Sequence, residues 1–136
     1  MSGAAFEELE HTADWALKVR GRDLADLLIN AAVGMMELAG VRPAESGGEE
    51  RQIKLESLDR ESLLVDWLHE VLLALEMEAV AYSEIKLQVE GDHGVVGKVI
   101  AVPLADMTKQ IKAVTYNDLQ IDEGPEGLTA TVVFDV

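Results

Sequence analysis

Apolar and polar side chains alternate over residues 4 to 10 and again over 15 to 20, and a period of two predicts strands. In the second stretch Trp15, Leu17 and Val19 face one way, Ala16, Lys18 and Arg20 the other, and Gly21 closes the run. From Asp23 to Ala39 the period becomes helical. Leu24, Leu27, Leu28, Ala31, Ala32, Met35 and Leu38 fall on one side, with Asp23, Asp26, Asn30 and Glu37 largely opposite. Gly40, with Pro43 after it, supplies a stop. The turn-rich, charged run from Arg42 to Glu50 predicts one long loop, and Arg51 to Glu56 alternates again. A second amphipathic helix is predicted from Leu58 to Ala79, capped by Ser57 or Asp59. Its broad apolar face is Leu63, Leu64, Trp67, Leu68, Val71, Leu72 and Leu75.

The rest of the chain reads as strand. Ser83 to Glu90 and Val95 to Val102 flank Gly91-Asp92-His93-Gly94, which predicts a hairpin with His93 at a solvated tip. Pro103 to Gln110 fits either a loop or a short helical turn. Ile111 to Tyr116 and Leu119 to Ile121 read as strand, Gly124-Pro125-Glu126-Gly127 as a turn, and Leu128 to Val136 as the closing strand. The order β-β-α-β-α followed by strands lacks the regular alternation of a doubly wound sheet. It predicts one compact α+β domain over residues 1–136, with antiparallel or mixed sheet layers and two amphipathic helices. A chain of 136 residues buries about two thirds of its unfolded surface, so it needs no disulfide or structural metal to fold.

Composition narrows the chemistry. Hydrophobic residues are 49% of the chain but aromatics only 4%, so Leu, Val, Ala, Ile and Met must fill the core, and Met35-Met36 reads as a gap-filling pair. The absence of cysteine removes thiolate catalysis, disulfides and the common zinc and iron–sulfur sites. No basic leader precedes an apolar stretch, and no apolar run approaches the ~18 residues of a membrane helix, which predicts a cytoplasmic protein without a membrane partner. Twenty-six acids against eleven Lys and Arg give a net charge of −15. Such a field repels phosphate backbones and attracts divalent cations and basic proteins, so direct high-affinity nucleic-acid binding is not expected; alternatively the charge serves solubility alone. No Gly-rich phosphate loop is present.

Three places carry candidate chemistry. Glu10-His11-Thr12-Ala13-Asp14 packs two acids, an imidazole and a hydroxyl between the first two strands; it either bonds its own backbone or forms a reactive turn. Asp135 ends the apolar run that begins at Thr131, beside the carboxylate of Val136, and like charges so close favour a bound cation. If the last strand pairs near the early turn, Asp14, Asp135 and Val136 make an oxygen-rich site for a hard divalent metal (Ca, Mg or Mn), with fewer than the roughly six to eight oxygens that Ca²⁺ takes. Otherwise Asp135 is an exposed chain-end residue. Lys112, between Ile111 and Ala113-Val114, either marks a wet face or offers a charge to a phosphate. Asp66 and His69, three apart on the second helix, form either a surface hydrogen bond or a small metal or acid–base pair.

In combination, Glu10 to Asp14, the block Lys112-Ala113-Val114-Thr115-Tyr116-Asn117-Asp118-Leu119 and the closing Phe134-Asp135-Val136 resemble the archease family. Asn30 to Met35 and Leu63 to Glu70 also resemble that family's two helices, so the likeness spans almost the whole chain. It implies a small acidic α+β protein that is not itself an enzyme. Such a protein serves a GTP-dependent RNA ligase of tRNA splicing and RNA repair, promoting guanylylation of a ligase histidine and multiple turnover. By that resemblance Asp14, Asp135 and Val136 hold a divalent metal, Lys112 assists at the ligase active site, and His11 and Thr12 shape the turn. A chaperone or adaptor for an RNA-modifying enzyme such as a tRNA methyltransferase is the alternative; a stand-alone metal-dependent hydrolase lacks a dense His/Asp cluster. Two departures stand out. Asn117 replaces a His that many members carry, and Lys98 to Lys109 is shorter and more apolar than the family's loop.

Overall fold

A computed structural model describes residues 5–9 and 15–136. Among them are nine strands and two helices: β1 (Phe6–Leu9), β2 (Trp15–Gly21), α1 (Leu24–Leu38), β3 (Val41–Pro43), β4 (Glu49–Glu56), α2 (Arg60–Met77), β5 (Val80–Glu90), β6 (Gly94–Met107), β7 (Ala113–Thr115), β8 (Asp122–Gly124) and β9 (Gly127–Asp135). They form two sheets in one α+β domain. In the first, β9 lies between β2 and the pair β7 and β8, and β1 adds to the outer edge of β2. In the second, β6 is central, with β5 along one side and β4 and β3 in line along the other. Every pairing is antiparallel, so the mixed-sheet option is not taken.

The helices follow their patterns closely. Asp23 caps α1 by accepting from the Asp26 amide at 2.9 Å. Gly40, at φ +68°, ends it in the left-handed conformation that a side chain would strain. Asp59, not Ser57, caps α2, accepting from the Ser62 amide at 2.7 Å, and Ala79 at φ 54° turns the chain out. That helix is therefore shorter at both ends than the predicted Leu58 to Ala79.

The strand region holds the larger departures. Pro103 to Met107 is neither loop nor helical turn, since β6 continues to Met107, where β3, inside the predicted long loop, pairs with its far end; the predicted loop holds only for residues 108–110. A register shift between Arg42 and Pro43 accompanies this pairing beside Pro103, a residue with no N–H to offer a ladder. The third strand of the predicted set moves as well. Leu119 to Ile121 is not strand; Ile121 is buried with its amide donating to the Glu61 carboxylate at 3.0 Å, and pairing starts one residue later at Asp122.

Both helices pack where the two sheets meet. α1 touches β1, β2 and β9 of one sheet and β3 and β5 of the other, while α2 touches β4, β5 and β7. Trp67 is the joint. It is fully buried on α2, its indole N–H donates to the Leu28 carbonyl of α1 at 2.8 Å, and its ring stacks on Tyr82 of β5 with centroids 6.2 Å apart. Burial pushes the Tyr82 phenol up from its ordinary value. Met35 and Met36 are buried, as their gap-filling role requires.

Two outcomes follow. Trp67→Ala should lower the unfolding free energy by about 3–5 kcal/mol, read from the urea midpoint at constant slope. The Asp59 carboxyl is held below its ordinary range by hydrogen bonds from the backbone and side chain of Ser62. Its folded value is thus below its unfolded one, and the stability it adds is full above about pH 4 and lost as pH falls through the depressed value. Thermal melts of Asp59→Asn should show a shallower loss of stability below about pH 4 than the parent chain.

Candidate functional site

The register of β9 determines which side chains share the end of the first sheet. Leu128, Ala130, Val132 and Phe134 are buried on one face of β9; Val133 on the other face is buried as well, and Asp135, two residues on, is exposed at the strand's last position. On one side Phe134 pairs with Trp15; on the other Asp135 pairs with Ala113. Just before β7 the Lys112 amide donates to the Asp135 carbonyl at 2.8 Å, so these two residues, far apart in sequence, are backbone neighbours. Both are exposed, and neither forms an ion pair among the described residues.

Asp14, His11 and Thr12 lie outside the described residues. Asp14 immediately precedes Trp15, whose strand partner Phe134 immediately precedes Asp135. The Lys109 ammonium lies 4.9 Å from the centroid of the Trp15 ring, a cation–π contact that packs residue 109 over the start of β2.

The strand bearing these groups is tied down from two sides. Thr115 donates its hydroxyl to the Val133 carbonyl at 3.0 Å. The Val114 amide donates to Nε2 of His69 on α2 at 3.4 Å. The predicted Asp66–His69 pair is therefore not made. Asp66 instead accepts from the Ser57 hydroxyl at 2.5 Å, because the chain leaving β4 passes beside the first turns of α2. Asn117 donates its amide to Thr115 Oγ1 at 3.3 Å and stays exposed.

His93 is a second correction. It is not a solvated tip: the ring is half-buried, Nδ1 is enclosed with no partner among the described residues, and its carbonyl accepts from the Ser57 amide at 3.0 Å. The hairpin tip folds against the start of α2, a tertiary packing that a Gly-flanked turn does not announce.

Donor chemistry tests whether a metal fits. Asp135 offers an exposed carboxylate, the hard oxygen ligand suited to Ca²⁺, Mg²⁺ or Mn²⁺. Among the described residues no group of three or more His, Asp or Glu is placed to hold a metal. A shell at Asp135 would therefore be completed by water or by further oxygens not among the described side chains.

Fold and site together define a two-sheet α+β domain in which β7 and β9 bring the backbones of Lys112 and Asp135 together at one sheet end. The chain belongs to the archease protein family, whose model matches residues 6–136. It is 37% identical over 144 residues to a protein archease of Methanosarcina mazei, covering 98% of this chain and 97% of that one. Against a protein archease of Methanosarcina barkeri it is 32% identical over 142 residues with the same coverage. Two solved structures share the fold. One is a solution structure of a Methanobacterium thermoautotrophicum protein, with TM-score 0.73, 30% identity and coverage of 97% and 99% of the two chains. The other is a crystal structure described as an archease and possible chaperone from Thermotoga maritima, with TM-score 0.73, 27% identity and 96% coverage of each chain.

If His69 anchors β7, then His69→Phe should speed hydrogen exchange of the Val114 amide by about two- to tenfold, the worth of one ordinary hydrogen bond. Exchange in α1 should be unchanged.

Proposed function

We propose that this protein activates a GTP-dependent RNA ligase of tRNA splicing or RNA repair, promoting guanylylation of the ligase histidine and multiple turnover without turning over substrate itself. The observation that supports this best is the meeting of Lys112 and Asp135 at one exposed sheet end, beside the start of β2. On this reading Asp14, Asp135 and Val136 hold a divalent cation (Ca, Mg or Mn), which supplies positive charge near nucleotide phosphates in the partner's site. Lys112 brings a second positive charge from the neighbouring chain position, where an oxyanion developing during nucleotidyl transfer is stabilised.

Electrostatics favours the same division of labour. A chain of net charge −15 is repelled by free RNA but drawn to a basic RNA-binding enzyme, so docking on the enzyme brings its few exposed functional groups to the nucleotide. The second reading is a chaperone or adaptor for an RNA-modifying enzyme such as a tRNA methyltransferase. It draws on the description of the Thermotoga maritima structure as a possible chaperone, and it needs the acidic surface but not the pairing of Asp135 with Lys112.

The test is ligase guanylylation, followed with labelled GTP in the presence of the parent chain or of Asp14→Ala, Asp135→Ala or Lys112→Ala. Each variant should lose at least tenfold of the stimulation while keeping the parent's urea midpoint, since Asp135 and Lys112 are exposed. Equal stimulation by all four proteins would remove the mechanism, and no stimulation by any would favour the chaperone reading.

A further inference from the structure

The second sheet ends on β5, whose outer edge meets no other strand among the described residues. Every second residue along such an edge turns its N–H and C=O away from the sheet, and these groups accept a further strand unless the edge is guarded. The described edges differ in this respect. β1, β3, β7 and β8 are only three or four residues long. β4 is longer, but it carries Arg51 on the same face as the buried Ile53, with the guanidinium held by Glu49 and Glu78 at 3.0 and 2.9 Å. An inward charge of this kind blocks extension of the sheet.

β5 has no such guard over residues 84–90. A register shift between Tyr82 and Glu84 sets this half apart, and beyond it Ile85, Leu87 and Val89 share the inner face while Glu84, Lys86, Gln88 and Glu90 share the outer one. Ile85, Leu87 and Val89 are only half-buried, although Val99 and Val95, opposite Ile85 and Val89 in β6, are buried. The core face is thus left open along this edge. On the outer face Lys86 lies directly opposite Lys98 of β6, a like-charge pair that meets no anion among the described residues.

We propose that β5 pairs antiparallel with β5 of a second copy of this chain, across a two-fold axis at Gln88, so that the second sheet runs on through both copies. In this register Lys86 faces Glu90 of the second copy, Leu87 faces its Val89, and each contact is made twice. Other registers lose the match. An axis at Lys86 sets two lysines against each other, and one at Leu87 sets Glu84 against Glu90. Axes at Ile85 and Val89 allow one paired residue on either side, because the register shift ends the first ladder and the strand end at Glu90 the second. Backbone hydrogen bonds and the cover over Leu87 and Val89 supply the affinity, while the crossed charges select the register. The contact is isologous and closes at two copies, since it consumes both free edges. None of its residues belongs to the sheet end at Lys112 and Asp135, so the inference stands apart from the activator reading.

The net charge of −15 on each copy opposes association, so the test is run at physiological ionic strength, where long-range repulsion is screened. Sedimentation equilibrium of the full chain over about a hundredfold range of concentration should show a mass rising from one copy to two. Lys86→Glu and Glu90→Lys should each weaken association by about fivefold or more, and the double variant should return to within about twofold of the parent. Urea midpoints should match the parent, because both positions are exposed. The chain has no cysteine, so Gln88→Cys introduces a single thiol at the axis. A short bismaleimide should join two copies there about tenfold faster than through Gln52→Cys on the guarded edge of β4. A single-copy mass at every concentration, a double variant no better than either single one, or equal cross-linking at the two positions would overturn the proposal.

Discussion

The end of the first sheet that carries Asp135 depends on the register of β9. Its neighbours on both sides are fixed by pairing, and a slip of one residue would replace the buried Leu128, Ala130, Val132 and Phe134 on the core face with Gly127, Thr129, Thr131 and Val133, of which only Val133 is a large apolar residue. That constraint puts Phe134 opposite Trp15 and Asp135 opposite Ala113. The exposed carboxylate at the strand end is therefore held by the burial of the residues before it, not by contacts of its own.

The two sheets would be separate layers without the helices between them. Trp67 joins α1, α2 and β5 through one hydrogen bond and one ring stack, in a core whose other buried aromatics among the described residues are Tyr82 and Phe134. Aliphatic side chains fill the rest, and no charged or polar residue is buried among the described residues. Polar chemistry is consequently confined to the surface. On α2 the brace and the open surface share one side: His69 holds β7 next to the exposed Leu73 and Glu76.

The net charge of −15 and the placement of the cations belong together. Several arginines are absorbed in surface pairs that contribute little to stability: Arg20 with Glu7, Arg42 with Asp106, Arg51 with Glu49 and Glu78, and Arg60 with Glu123. The lysines, Lys112 included, form no ion pairs of this kind among the described residues.

By itself the sequence determined both helices, the cap of the second to within Ser57 or Asp59, the hairpin around residues 91–94 and the α+β class, because these depend on local period and on side chains within a turn of each other, whereas the capping role of Asp23 came from the structure. Likewise the motif blocks around Asp14, Lys112 and Asp135 were legible as residues that belong together by family likeness. What the tertiary structure alone decided was pairing across long separations: β3 with the far end of β6, the anchoring of β7 by His69, the folding of His93 against α2, and the adjacency of Lys112 and Asp135. Alternation tells a strand which face to bury but not which strand lies beside it, and that choice is made only when both faces of the helix layer are covered at once.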